Sequence, residues 1–430
     1  MSTDATTGYW SGPWPGEDGG PRRLAVPADA SPVPSIAVGT PVDVVSRTDP
    51  LVTMVVTRDP GEVFLLRNGM ALTNVDGPDV TCSVERIDPD TLEVLVDSGP
   101  LPGGPMWPGG LAAHANGSLY VVFGNHAHRL SADLRVEATA KLPRRRPYNS
   151  FVILPDGTLV TKDFAGSLPG APVPPEARQP TELLALDPDT LAVVDRITLP
   201  EPSIARISSD GDHIYVVGDT SLLRVGWGGR FVPDPGFHAT YRTAEGQTYG
   251  WDCVLALGAA WFLDDGDGST NFDGSFRGKG VSTAPLQLIR VDLADGSVSA
   301  AEVCAAEGGL ITNPPVIDER RRIAVGYDSG NGVMVAFDIA ADGGLTERWR
   351  RDHDHAAHLL LLPGDGALVT GDHDVERMIE QVVVVDIATG AELVRADTEG
   401  PLQSAVFPAL GWDATVYWCS LSTVSRLRFG

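Results

Sequence analysis

YNSFVILPDGTLVTKD, residues Tyr148–Asp163, holds two apolar runs joined by a tight Asp156-Gly157 turn, the signature of a β-hairpin. Close copies are ISSDGDHIYVVGD (Ile207–Asp219), AAHANGSLYVVFGN (Ala112–Asn125) and LLPGDGALVTGD (Leu361–Asp372). Looser ones are LALGAAWFLDD (Leu255–Asp265), VIDERRRIAVGYD (Val316–Asp328) and ALGWDATVYW (Ala409–Trp418). A second hairpin follows most copies, as in RIDPDTLEVLVD (Arg86–Asp97) and ALDPDTLAVVDRI (Ala185–Ile197).

Two linked hairpins make four antiparallel strands, and the unit recurs about every 45–60 residues without a helical period. The fold expected is therefore all-β: a single β-propeller of four-stranded antiparallel blades. Units begin near Leu51, Met106, Tyr148, Ser203, Tyr249, Thr312, His355 and Gln403. That counts eight blades, with seven as the alternative if the first or fourth unit is incomplete. The last unit has about three strands, so an N-terminal strand within Ile36–Ser46 is expected to close the ring. Residues 36–430 form the propeller domain, and residues 1–35 read as a flexible Pro/Gly-rich arm in which Trp10 and Trp14 hint at packing.

Composition narrows the function. Lys and Arg number 32 against 57 Asp and Glu, a net charge of −25 that repels nucleic acid and anionic membranes. No apolar run reaches the roughly 18–20 residues that span a bilayer. The start of the chain lacks the apolar core of a signal peptide. Cys82, Cys253, Cys304 and Cys419 are widely spaced and read as reduced thiols, so a cytoplasmic protein is expected. The oligomeric state stays open.

Blade geometry places the starts of the innermost strands (A) and the ends of the second strands (B) on one face. The A-strand starts are Trp107-Pro108, Tyr148-Asn149, Ser203–Arg206, Tyr249–Asp252, Thr312-Asn313, His355–His358 and Gln403-Ser404. The B-strand ends are Asn125-His126, Lys162-Asp163, Asp219, Asp264-Asp265, Asp328 and Asp372-His373. Such a polar and aromatic mouth suits a small-molecule substrate. Each aspartate could equally cap the turn that follows it. In RDHDHAAH, His353 and His355 are expected to converge while His358 points into the channel.

Two insertions fall on the same face, Phe164–Pro180 and Asp264–Thr283. In the second, Asp265, Asp267, Ser269, Asn271 and Asp273 alternate oxygen-bearing side chains as in a calcium loop, but Phe276 stands where a closing Glu belongs and Thr270 where the turn Gly belongs. A Gly-rich lid is the better reading.

YNSFVILPDGTLVTKD also resembles the Asn-containing inner-strand motif of SMP-30/gluconolactonase-like propellers. The resemblance implies a metal-dependent lactone hydrolase, with Asn149 at the motif's Asn and Asp252 at its Asp. Ser203 replaces a second Asn, and RTDPLVTMVV offers no Glu at the first blade. The Trp-Asp endings of WD40 repeats are absent, as are the Trp-docking repeats and adjacent cysteines of quinoprotein alcohol dehydrogenases. No nucleotide or quinone is therefore expected.

Two functions follow. The first is a lactonase-like hydrolase or lyase with a divalent metal (Ca, Mg, Mn or Zn, not distinguished) at Asn149, Asp252, Asn313 and His373. His358 or His355 would serve as acid or base, Arg206 and Lys162 would hold an oxyanion, and Trp107, Tyr148, Trp251 and Gln403 would contact substrate. The alternative is a non-catalytic propeller that recognises a protein or small ligand with its top face.

Overall fold

The computed structural model describes residues 4–28, 31–69, 80–167, 173–266, 268 and 272–430. Their strands form eight antiparallel sheets in a ring, with helix limited to three single-turn 3₁₀ segments. The A strands begin at Val52, Gly110, Tyr148, Ser208, Val254, Val316, Leu360 and Ala409, so the count of eight holds and seven is excluded. A short extra strand, Leu101–Gly104, pairs with Val80–Ile87 of blade 1. The eighth blade is closed by Val42–Thr48, which pairs along its length with Thr423–Phe429. The first and last segments are thus joined by a backbone ladder, which leaves the ring no free end.

Neighbouring blades stack face to face, so their inner strands are buried on both sides. This is why Val52–Thr57, Leu119–Phe123 and Leu159–Asp163 are buried throughout and read as continuous runs, not as alternation. The outermost strands alternate, as in Val193–Thr198. The DPDT turns have a local cause. The Asp88 and Asp187 carboxylates each accept two amide N–H bonds, from Asp90 and Thr91 and from Asp189 and Thr190. The next leucines, Leu92 and Leu191, take left-handed φ values of 63° and 58° and bury their side chains.

An A strand lining a channel exposes one edge of backbone groups toward the axis. The N-terminal arm covers much of that edge. Thr57, Ala113, Ser209, Leu255 and Leu361, from the inner strands of blades 1, 2, 4, 5 and 7, donate their N–H groups to Trp14, Pro15, Pro21, Arg22 and Ala25. The blade 3 contact is the Ile153 N–H, given to the Tyr9 hydroxyl. The arm expected to be flexible therefore runs through the ring in residues 4–28, with Trp14 only 1% exposed.

Candidate functional site

The arm turns at Glu17–Gly19, where Asp18 adopts φ 49°. Around it lies a buried charged cluster. Arg23 Nη2 lies 2.5 Å from Glu17 Oε2, and its Nη1 lies 2.8 Å from Asp18 Oδ2. Arg23 also donates to the Ile207 carbonyl and the Ser150 hydroxyl. From the ring, Arg206 Nη1 lies 3.1 Å from Glu17 Oε1, and His358 Nδ1 lies 2.7 Å from Asp18 Oδ1. The Arg206 guanidinium sits over Phe407, against which His358 stacks at 3.7 Å. Burial alone would raise the Asp18 pKa, but His358 and Arg23 outweigh it and hold the carboxyl below its usual range. Asp252, buried near Arg23 and Arg206, is pushed upward by desolvation.

Arg206, expected to hold an oxyanion, thus holds a carboxylate of its own chain. Its Nη2 donates to the Pro108 carbonyl and its Nη1 also to that of Gly109, while its Nε lies 3.9 Å from Asp252 Oδ2. Lys162 is fully buried and donates only to the carbonyls of Asp163 and Ser203. Burial drives its pKa down to about 7 against the pull of Asp163 and Asp252. His353 and His355 do converge, on opposite sides of the Thr370 hydroxyl, at 3.0 and 2.6 Å. Burial lowers the His355 pKa to about 3 and that of His353 to about 4, so both rings are neutral near pH 7. His358 faces the axis, apart from that pair.

The residues expected to ligate metal each make hydrogen bonds within the protein. Asn149 Nδ2 donates to the Ile204 carbonyl, and Asn313 Nδ2 to those of Ala356 and Ala405. Asp252 Oδ1 accepts the Arg206 N–H, at 2.5 Å. These three are clips between neighbouring blades, and Ser203 and Ser404 hold their own blades similarly through the Val217 and Cys419 carbonyls. His373 faces the Pro401 carbonyl. Among the described residues no group of three or more His, Cys, Asp and Glu is arranged to hold a metal.

The aromatic wall is also redistributed. Trp107 stacks on Phe164 at 4.4 Å, and Trp251 belongs to the same apolar cluster as Phe164 and Ile204. Tyr148 packs with Tyr9, Tyr120 and Phe151 instead. Gln403 fastens the second insertion: its side-chain oxygen accepts the Phe276 N–H and its own N–H goes to Gly274. Asp267, Ser269, Thr270 and Asn271 of the calcium-like alternation lie outside the described residues.

The B-strand aspartates act as turn and strand caps. Asp163 Oδ1 accepts the Glu182 N–H and Asp264 Oδ1 the Gln287 N–H, while Asp328 Oδ1 accepts those of Leu310, Gly330 and Asn331. Glu17, Asp18 and Arg23 escaped the sequence reading. Their signal was PWPGEDGGPRR, a charged turn flanked by Trp14 and Leu24 within a segment read as linker-like.

Two open recesses, of about 390 and 300 Å³, lie elsewhere. One is lined by Asp195, Phe231 and Val232 between the outer strands of blades 3 and 4, the other by Asn68, Thr81 and Asp97 of blade 1.

No protein-family model matches the chain, and no curated protein matches it by sequence. Solved structures do match. The quinohemoprotein alcohol dehydrogenase ADHIIG of Pseudomonas putida HK5 aligns with a TM-score of 0.61 at 10% identity, over 98% of this chain and 81% of that one. The quinohemoprotein alcohol dehydrogenase of Comamonas testosteroni gives 0.59 at 12% identity, over 96% and 80%. BamB from Moraxella catarrhalis gives 0.55 at 12% identity, over 90% and 98%. Likeness at such identities shows the fold alone, and the lactonase resemblance stays a matter of short motifs. The chain is an eight-bladed β-propeller with its own N-terminal arm seated in the ring.

Proposed function

We propose that this chain is a non-catalytic binding propeller, which recognises a protein partner with the face that carries the two insertions. One observation carries this reading: Glu17 and Asp18 occupy the place a substrate would need, and they engage Arg206 and His358, the residues best suited to act on one. A net charge of −25 favours a partner with a basic surface, drawn in by long-range attraction that salt would weaken. Four free, buried cysteines fit a reducing compartment such as the cytoplasm.

Site-specific photo-crosslinking in the native host tests the reading. A crosslinker at Phe272, in the second insertion, should yield a discrete, saturable protein adduct, whereas one at Asp156, on the opposite face, should not. Equal labelling from both faces, or none, sinks the reading.

A hydrolase or lyase that opens by withdrawal of the arm is the second reading. It is favoured by Asn149 Oδ1 and Asp252 Oδ2, both buried without a hydrogen-bond partner at the two positions the lactonase resemblance implies for metal. Metal-dependent lactone turnover that appears in Arg23→Met, whose arm is loosened, and is lost in Arg23→Met/Asp252→Asn, would establish it over the first.

A further inference from the structure

The second insertion carries two aromatic rings that its own fold leaves half-buried. The Phe272 and Phe276 ring centroids lie 4.7 Å apart, and both rings keep part of their surface in solvent. Between them in the chain, a methyl group built on Gly274 would sit 2.9 Å from Met378 Cε and 4.0 Å from Leu402 Cδ2. Met378 and Leu402 therefore lie against the insertion at this point, and the four side chains make one apolar patch. The insertion is fixed there by Gln403, whose side-chain oxygen accepts the Phe276 N–H while its own N–H goes to the Gly274 carbonyl. Such a surface is set before a partner arrives.

Met378 is 42% exposed, in the turn that joins Ala367–Asp374 to Ile379–Asp386, and its φ is 53°. That left-handed backbone favours Gly or Asn. Leu92 and Leu191 adopt it too, but they bury their side chains. Met378 does not, and Val375 in the same turn is 53% exposed. Exposed Phe beside exposed Met is the composition of a surface that adapts to a partner's apolar side chains.

The rim of the patch is anionic. Each cation beside it is already held by acid: Lys279 by Asp273, Arg277 by Asp352 and Asp354, Arg377 by Asp374 and Asp397. Glu376 and Glu399 are exposed and form no ion pair among the described residues. A complementary partner brings Lys or Arg around an apolar centre. It must also satisfy its own backbone, because the Met378 turn joins strands already paired with each other as far as Asp374 and Ile379 and offers no edge to extend. An amphipathic helix meets both needs. We propose, on the reading that this face recognises a protein, that Phe272, Phe276, Met378 and Leu402 dock the apolar side of a basic amphipathic helix, with Glu376 and Glu399 meeting its cations.

Fluorescence anisotropy on the full-length protein tests this with a synthetic helix of about 18 residues, Leu on one side and Lys on the other, and a scrambled peptide of the same composition. A chain of charge −25 attracts any Lys-rich peptide, so the preference between the two is the readout. The amphipathic peptide should bind saturably and about tenfold tighter or more, the gain from burying one or two apolar side chains. It should also slow hydrogen exchange in residues 272–280 and 374–380. Met378→Asn, which suits the left-handed turn, should remove most of the preference. Glu376→Lys should weaken both peptides at low salt and leave their ratio. Equal binding of the two peptides, a preference undiminished in Met378→Asn, or slowed exchange elsewhere only, overturns the proposal. If the crosslinker at Phe272 still captures a discrete protein in the host, the proposal falls alone and the reading beneath it stands; if it captures none, both fall.

Discussion

Replacing Arg23 by Met probes the arm most sharply. The side chain is 1% exposed and its guanidinium meets Glu17, Asp18, the Ile207 carbonyl and the Ser150 hydroxyl. Met fills much of the volume but leaves three buried carboxylates, Glu17, Asp18 and Asp252, facing Arg206 and His358 alone. Removing one partner of a buried ion pair costs about 3–5 kcal/mol. At about 1.4 kcal/mol per tenfold, the arm should leave the channel roughly a hundred to a few thousand times more often. Native-state hydrogen exchange reads this directly, because Ala113, Ser209, Leu255 and Leu361 donate their N–H groups to arm carbonyls. Their protection should fall together by that factor, while amides paired within the outer strands keep theirs. Arg22→Met is the control: its pair with Glu319 is more than a third exposed on both sides and should contribute at most about 1 kcal/mol. If Arg23→Met lowers protection less than tenfold, or no more than Arg22→Met, the cluster does not hold the arm.

Other consequences can be measured on the same protein. Because the Asp18 pKa is lowered in the fold, its contribution is present above the usual carboxyl value of about 3.9 and is lost as pH falls through the folded value; arm protection should weaken with acid, and Asp18→Asn should remove that component. Glu380 has the opposite sign. It is fully buried beside the Trp418 indole and its pKa is raised well above the usual range by burial, so stability should decline as pH rises past about 4.3, and Glu380→Gln should flatten that slope in urea titrations. Trp261 is fully exposed to neighbours and not at all to solvent, so Trp261→Ala should cost about 3–5 kcal/mol in the same titrations. Val45→Pro, in the middle of the closing strand, should lower the thermal midpoint far more than Val38→Pro in the exposed segment before it, because it interrupts the ladder that joins the first and last segments of the ring.

The fold was legible because its cause is local. Asp156-Gly157 and the DPDT turns each impose a reversal within four residues, and their spacing alone yields eight blades. The closing strand was legible as a deficit, since the last blade lacked one partner. The site was legible only as a location. Asn149, Asp252 and Asn313 do lie at A-strand starts, yet their bonding depends on backbone carbonyls and amides of the adjacent blades, which no spacing in the sequence reveals. His353 and His355 meet at the Thr370 hydroxyl from the irregular segment that follows Asp352, where strand alternation does not apply, and their neutrality depends on burial between blades. Glu17 and Asp18 meet Arg206 and His358 across roughly 190 to 340 residues of chain. A Pro/Gly-rich segment with little apolar content carries no periodicity to announce that contact, because it is held by backbone edges and charge instead of an apolar face.

The central claim is that the chain's own arm closes the axis over His358. Diethylpyrocarbonate labelling read by mass spectrometry tests it residue by residue. His238 is exposed and His213 is half-buried, whereas His358 is 1% exposed and lies against Asp18 and Phe407. Brief labelling of the native protein should modify His238 and His213 and leave His358 untouched, with His358 gaining reactivity in Arg23→Met. Modification of His358 in the wild type at a rate comparable to that of His213 would contradict the account.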